Sequence, residues 1–318
     1  MKLSIGKRFG LLMLSIMPLT LAVLFSASIT AQTASAHSTH AQRPNSGAGA
    51  VVYTHIATAA NSAGNWTDLN NNASNNHPNA VVIVTPNVSA GVNGIVDKHA
   101  AGVWYDGIAH QWAIFNEDGT PIPHGAAFNV YAVPAPFVGT SVEGAITFTV
   151  TAANSKGNWA DIDNPITNNT ANVFLNVTAS WRGSIAFDAH PIGVWYDAAA
   201  NKWAVFNEGG MDAIPVGTTF NILIDTPIVS GVFVHKITST NTTGNSTTID
   251  NSATNNNSNK LVFATPNYDV VDVLGTYDDH VLGVFYSNGK WSIRNLDGAP
   301  MQKTGAFNVL ASDPYPAA

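Results

Sequence analysis

An aspartate stands two residues ahead of a histidine three times in the chain, at Asp97/His99, Asp188/His190 and Asp278/His280. In an extended segment both side chains project to one face, so the carboxylate could orient the imidazole for proton transfer or for metal binding. A metal centre needs three or four ligands, and each copy supplies only this pair in recurring form. Triad hydrolysis needs a nucleophile at a fixed place, and no Ser or Thr recurs beside a nucleophile-elbow turn. The six residues are therefore weak metal candidates. Their simplest role is to fix a loop at the mouth of a strand, and the expectation is a protein without catalysis, metal or cofactor.

A second recurring group is aromatic and amide-rich. Gly64-Asn-Trp66 and Gly157-Asn-Trp159 correspond to Gly244-Asn-Ser246 in a third copy. Removing a buried Trp costs about 3–5 kcal/mol, a large part of a small domain's stability. Ser246 therefore places Trp66 and Trp159 at a rim. Trp104, Trp195 and Phe285, with the unvarying Trp112, Trp203 and Trp291, are expected in the core. Asn70–Asn76 matches Asp163–Asn169 and Asp250–Asn256. Asn and Asp satisfy turn backbones with their own side chains, which explains the loop without a ligand, and carboxylates are too few for calcium. The functional expectation is a stacking platform. Trp66 with Asn65, Asp68 and Asn71, and Trp159 with Asn158, Asp161 and Asn164, would meet the apolar faces and hydroxyl edges of a sugar. Weak single sites on one chain would gain avidity for a polysaccharide or other surface polymer.

These residues ride on an internal repeat of about 90 residues, too long for a solenoid coil. Gly102-Val-Trp-Tyr105 returns as Gly193-Val-Trp-Tyr196 and Gly283-Val-Phe-Tyr286. Each is followed by Trp112/Asn116, Trp203/Asn207 or Trp291/Asn295. About five strands per copy are expected, in copy one at 51–59, 80–85, 102–106, 111–116 and 126–133, the third and fourth forming a hairpin. Gln111–Asn116 is apolar on both faces, which calls for two layers or a small barrel. The reading is all-β: three tandem β-sandwich or β-barrel modules at 51–133, 144–225 and 231–312, each about 80–90 residues. Proline joints at Pro134/Pro136 and Pro227 suggest beads on a semi-rigid string with small interfaces.

The strings His190-Pro-Ile-Gly-Val-Trp-Tyr196, Trp203-Ala-Val-Phe-Asn207 and Pro215-Val-Gly-Thr-Thr-Phe-Asn221 resemble a tandem domain family of secreted bacterial proteins to which no function is assigned. The resemblance covers all three copies and implies a location and an architecture rather than an activity. Copy three departs from it at Ser246 and Phe285.

Composition narrows the class further. The 318 residues include no cysteine, 13 Lys+Arg against 20 Asp+Glu, and only 10% charged residues. Disulfide scaffolds, thiolate zinc sites and a nucleic-acid partner are thereby disfavoured. Residues 1–36 read as a signal peptide: Lys2, Lys7 and Arg8 precede an apolar run from Phe9 to Phe25, and Ala34-Ser35-Ala36 offers small residues for cleavage. Secretion to the extracellular space follows, with no stable membrane insertion after cleavage. His37 and His40 open a flexible linker at 37–50 that cannot hold a third copper ligand rigidly. The expected function is a secreted, non-catalytic protein binding carbohydrate or another surface ligand. The alternative is a structural or adhesion protein that self-associates through strand edges, and a hydrolase or metalloenzyme built on Asp-x-His is more distant.

Overall fold

In the computed structural model, residues 49–138, 143–182, 186–268, 270 and 275–315 are described. The expected signal peptide and the His37/His40 tail lie outside the described residues. Among the described residues the regular structure is β, apart from a 3-10 turn at Val92–Gly94. No helix among them is long and apolar enough to cross a membrane.

The first module contains β1 (Val51–Ile56), β2 (Ser62–Ala63), β3 (Trp66–Asp68), β4 (Val81–Pro86), β5 (Ala101–Asp106), β6 (Gln111–Asn116) and β7 (Ala127–Val133). An inner antiparallel sheet has the order β1-β7-β4, and an outer one β2-β3-β6-β5. The layers close over one core, in which Val82, Val130 and Phe128 of the inner sheet meet Trp112 and Ile114 of the outer. The same two layers recur. The second module's inner sheet uses Glu143–Thr149, Thr219–Asp225 and Phe174–Trp181, and the third's uses Val232–Lys236, Ala306–Ser312 and Leu261–Pro266. The chain is thus an all-β protein of three tandem sandwich modules. The β5–β6 hairpin recurs in copy three with a two-residue turn, Asn288 (φ 51°) and Gly289 (φ 77°), the left-handed pair that a tight hairpin demands.

The modules are not beads on a string. The described residues form one compact unit, because the inner sheets carry a second apolar face. Along β4, Val82 and Val84 enter the module core while Val81 and Ile83 point away from it. The outward set joins Val52, Tyr131, Leu223, Phe263 and Leu310 from all three modules in a shared central core. Strands buried on both faces read as unbroken apolar runs, which explains Ala80–Val84. A module cut out alone would expose that second face, so the proline joints are short links in a packed body.

The packing is cyclic. Module two lays Ser180 and Trp181 in parallel against Val103 and Trp104 of module one. Asn267 of module three bridges to Val194 of module two, and Asn87 of module one to Val284 of module three. Equivalent amides stitch the ring: Asn129 donates to the Val262 carbonyl (2.9 Å), Asn221 to Val82 (3.2 Å) and Asn308 to Leu175 (3.2 Å). The chain therefore carries an internal pseudo-threefold arrangement with three equivalent inter-module faces.

Candidate functional site

Each inter-module face is built on the outer side of an outer sheet. In β3 the strand alternation sends Thr67 inward, where its hydroxyl meets His55 Nε2 at 2.7 Å, and leaves Trp66 and Asp68 facing out. In β5, Val103 enters the core and Trp104 faces out, and in β6 Phe115 faces out beside it. The motif glycine follows from this layout: a Cβ at Gly102 would lie 2.8 Å from the Phe115 ring. The adjoining module then brings Trp181 on its parallel strand, and Phe187 further along.

Five aromatic side chains, Trp66, Trp104, Phe115, Trp181 and Phe187, thereby line an open recess of about 420 Å³, with Trp181 and Phe187 partly in solvent. The rings meet at angles rather than lying flat. Trp66 stands perpendicular to Trp104 (centroids 6.0 Å), Trp104 is tilted 45° to Trp181 (6.1 Å), and Phe187 lies 4.9 Å from Trp181. Asn65, Asn116, Glu117 and Asp118 supply the polar edge.

The face between modules two and three repeats the pattern in a smaller form. Trp159 stands nearly perpendicular to Trp195 at 5.5 Å, and Phe206, Tyr268 and Tyr277 complete an aromatic cluster around about 150 Å³. Asn158 lies at its edge and bonds the Tyr277 hydroxyl. The third face, between modules three and one, has lost the cluster. Ser246 stands for Trp66, Phe285 for Trp104, Arg294 for Phe115 and Val88 for Trp181, and the guanidinium carbon of Arg294 sits 5.6 Å from the centre of the Phe285 ring. The buried layer beneath is unchanged: Trp291 and Val284 occupy the positions of Trp112 and Val103.

Buried acids line these interfaces. Glu208 accepts the backbone N–H of Asp278 in the next module at 2.8 Å. Burial, reinforced by the nearby Asp278 and Asp279 carboxylates, lifts its pKa to about 8. Glu117 holds the equivalent place against Asp188, and burial first, then the Asp188 charge, pushes it well above the usual carboxylate range. Leu296 takes the position at the third face. Burial also raises Asp97 and Asp278 to about 6 and moves Asp188 upward.

The Asp-x-His motif does not form the expected pair in every copy. Asp188 Oδ1 lies 2.7 Å from His190 Nδ1, but His99 and His280 turn to the downstream Asp118 (2.7 Å) and Asp297 (2.8 Å). What recurs is an amide contact: Asn116, Asn207 and Asn295 donate to Asp97, Asp188 and Asp278 at 3.1–3.2 Å. The aspartates lock the strand that follows. Among the described residues no three His, Asp or Glu converge to hold a metal ion.

The proposed platform is redrawn in three places. Trp104 and Trp195, expected in the core with Phe285, instead face outward, half-buried, and wall the pockets, whereas Trp112, Trp203 and Trp291 are sealed inside with their indole N–H groups bonded to carbonyls. Asn71 and Asn164 belong to the loops and not to the pockets. Asn71 Oδ1 accepts the Ala73 and Ser74 N–H groups and its amide reaches the Tyr53 hydroxyl, while Asn164 Oδ1 accepts from Ile166. Asp68 and Asp161 share the outer face with Trp66 and Trp159 but lie one pleat away, where burial and the neighbouring Asp106 and Asp197 raise them. Asn65 borders the pocket, yet its amide donates to the Asn116 carbonyl (3.1 Å), as Asn245 does in the degenerate copy (2.8 Å), so that bond is structural. Trp181, Phe187, Tyr268 and Tyr277 were missed because each comes from a neighbouring module. Their aromatic character, where copy one has Val88 and Val96, was the available signal.

Fold and faces together define an all-β protein of three interlocked repeats with aromatic pockets at their junctions. Three overlapping stretches, residues 24–132, 102–211 and 193–311, match the family described as Domain of unknown function (DUF7452), and the chain belongs to that family. The second and third stretches begin at Gly102 and Gly193, so each spans a junction between modules. No curated protein and no solved structure matches the chain.

Proposed function

We propose that this is an exported, non-catalytic binding protein that takes carbohydrate of an extracellular polymer into its two inter-module pockets. The observation that carries the reading is the concerted change at the third face. Ser246, Arg294 and Val88 replace three aromatic residues there, while the core beneath stays intact. An aromatic cluster needed only for folding would be needed at all three equivalent faces. Aromatic walls with an edge of amides and carboxylates suit the mixed apolar and hydroxylated surface of a sugar. Two pockets on one chain would raise avidity for a polymer through effective concentration.

Calorimetric titration of the purified chain with soluble polysaccharides tests the reading. Binding that weakens strongly in Trp66→Ser and Trp159→Ser variants is the expected result. No heat with any polysaccharide, or unchanged binding in the double variant, overturns it.

A further inference from the structure

We infer that the group seated among the aromatic rings of each pocket is an ammonium cation, so that the saccharide taken up is a positively charged one. The inference rests on the carbohydrate reading for the saccharide part and stands on separate observations for the charge.

The first observation is the third face. Arg294 occupies the strand position held by Phe115 and Phe206, and its guanidinium lies over the Phe285 ring, at the position of Trp104 and Trp195. Where the aromatic cluster is lost, the chain itself supplies a cation to the same ring site. Ring faces carry negative potential, and a cation within about 6 Å of a centroid is attracted to them. The second is the shape of the two intact pockets. A flat sugar platform needs one open ring face, whereas Trp104 stands at 90° to Trp66 and at 45° to Trp181 beside a recess. Rings that line one recess at steep angles to each other suit a compact cation better than a flat sugar face. Even the smaller recess, of about 150 Å³, has room for an ammonium head.

The third observation is charge. Neither pocket is lined by a Lys, Arg or His among the described residues, while the carboxylate of Asp118, held below its ordinary pKa, borders the larger one. Arg182, which follows Trp181 in the chain, is engaged by Asn79 and Thr147. The ammonium group has two sources of the same chemistry: the free amine of an amino sugar, or a choline substituent on a glycan.

The test uses the full chain and tryptophan fluorescence, with four probes: chitosan oligomers, their N-acetylated counterparts, choline, and the neutral choline isostere 3,3-dimethylbutanol. The expected result is that one cationic probe binds about tenfold or more tightly than its neutral partner. Chitosan oligomers alone assign the amino sugar, and choline alone the substituent. Phe115→Arg should lower the stoichiometry by one site by placing the copy-three cation in the larger pocket. Trp66→Ser, which installs the copy-three residue, should weaken the same site if Phe115→Arg does not fold. Equal binding of charged and neutral partners overturns the charge inference and leaves the carbohydrate reading standing. Choline binding in a chain that gives no heat with any polysaccharide in the calorimetric titration overturns the carbohydrate reading and keeps the cation. Silence from all four probes overturns the charge inference.

Discussion

The side-chain amide of Asn129 donates to the backbone carbonyl of Val262, 133 residues away, while its oxygen accepts from the Asn87 amide at 2.8 Å. One buried side chain thus ties modules one and three and anchors the end of β4. Asn129→Ala strands a carbonyl and an amide in a dry interface, at a cost of about 1–3 kcal/mol for each group left unpaired. Because the central core is shared, the loss should lower the midpoint of a single urea transition rather than split off one module. Two resolved transitions would show that the modules unfold independently.

Trp66 and Trp112 sit on neighbouring strands of one sheet but on opposite faces. Trp112→Ala opens the module core and should destabilise the protein by about 3–5 kcal/mol. Trp66→Ser copies what the third module already carries, and should cost about 1 kcal/mol or less, as for a surface change. Thermal denaturation of the two variants gives the comparison, and equal losses would remove the argument that Trp66 is kept for a ligand.

Glu208 predicts a pH dependence in one direction. Its folded pKa of about 8 lies above the ordinary 4.5, so the folded state holds a proton that the unfolded chain releases. Stability from this group is intact below about pH 4.5 and is lost as pH rises towards 8. Glu208→Gln keeps an oxygen for the Asp278 N–H and cannot ionise, so its denaturation midpoint should vary less between pH 5 and 8 than that of the parent. A parallel profile would place the titration elsewhere.

The opposite sign comes from the buried histidines. Burial lowers His55 and His235 to about 4, so each contributes stability above pH 6.5 that is lost as pH falls towards 4. Each is bonded to a threonine, Thr67 or Thr247, and module two carries Phe148 and Ala160 at the corresponding places. Exchanging both partners at once, His55→Phe with Thr67→Ala, should preserve folding and reduce acid sensitivity between pH 6.5 and 4. Thr67→Ala alone leaves the imidazole unpaired and should cost about 1–3 kcal/mol. Melting curves across that range distinguish the two.

The five longer strands, the repeat and the sealed tryptophans were legible because they obey a local rule: alternation along 111–116 put Trp112 and Ile114 on one face, where the structure has them, whereas β2 and β3, of two and three residues, are too short to show one and were not expected. The apolar run at 80–85 was read only as a strand, although the structure covers it on both sides: its second partner lies in other modules, and local pattern cannot say whether a covering layer comes from near or far. The prolines at 134 and 136 read as spacers for the same reason. Comparison of the copies isolated Trp66 and Trp159, but it placed Trp104 in the core because an aromatic ring persists there in every copy. That persistence reflects a site that the third face fills with its own guanidinium. Trp181 and Tyr268 were marked only by being aromatic where copy one has Val88, and their partners became visible only when the ring of modules closed.

The ring of modules also has a consequence for divergence. In an assembly of three identical subunits, any substitution is installed at every junction at once, so one junction cannot be altered without altering the others. Writing the three units into a single polypeptide removes that constraint. A wide recess, a narrow one and a self-plugged one can then coexist around one axis, and each can be tuned towards its own occupant without disturbing the hydrophobic centre that all three share.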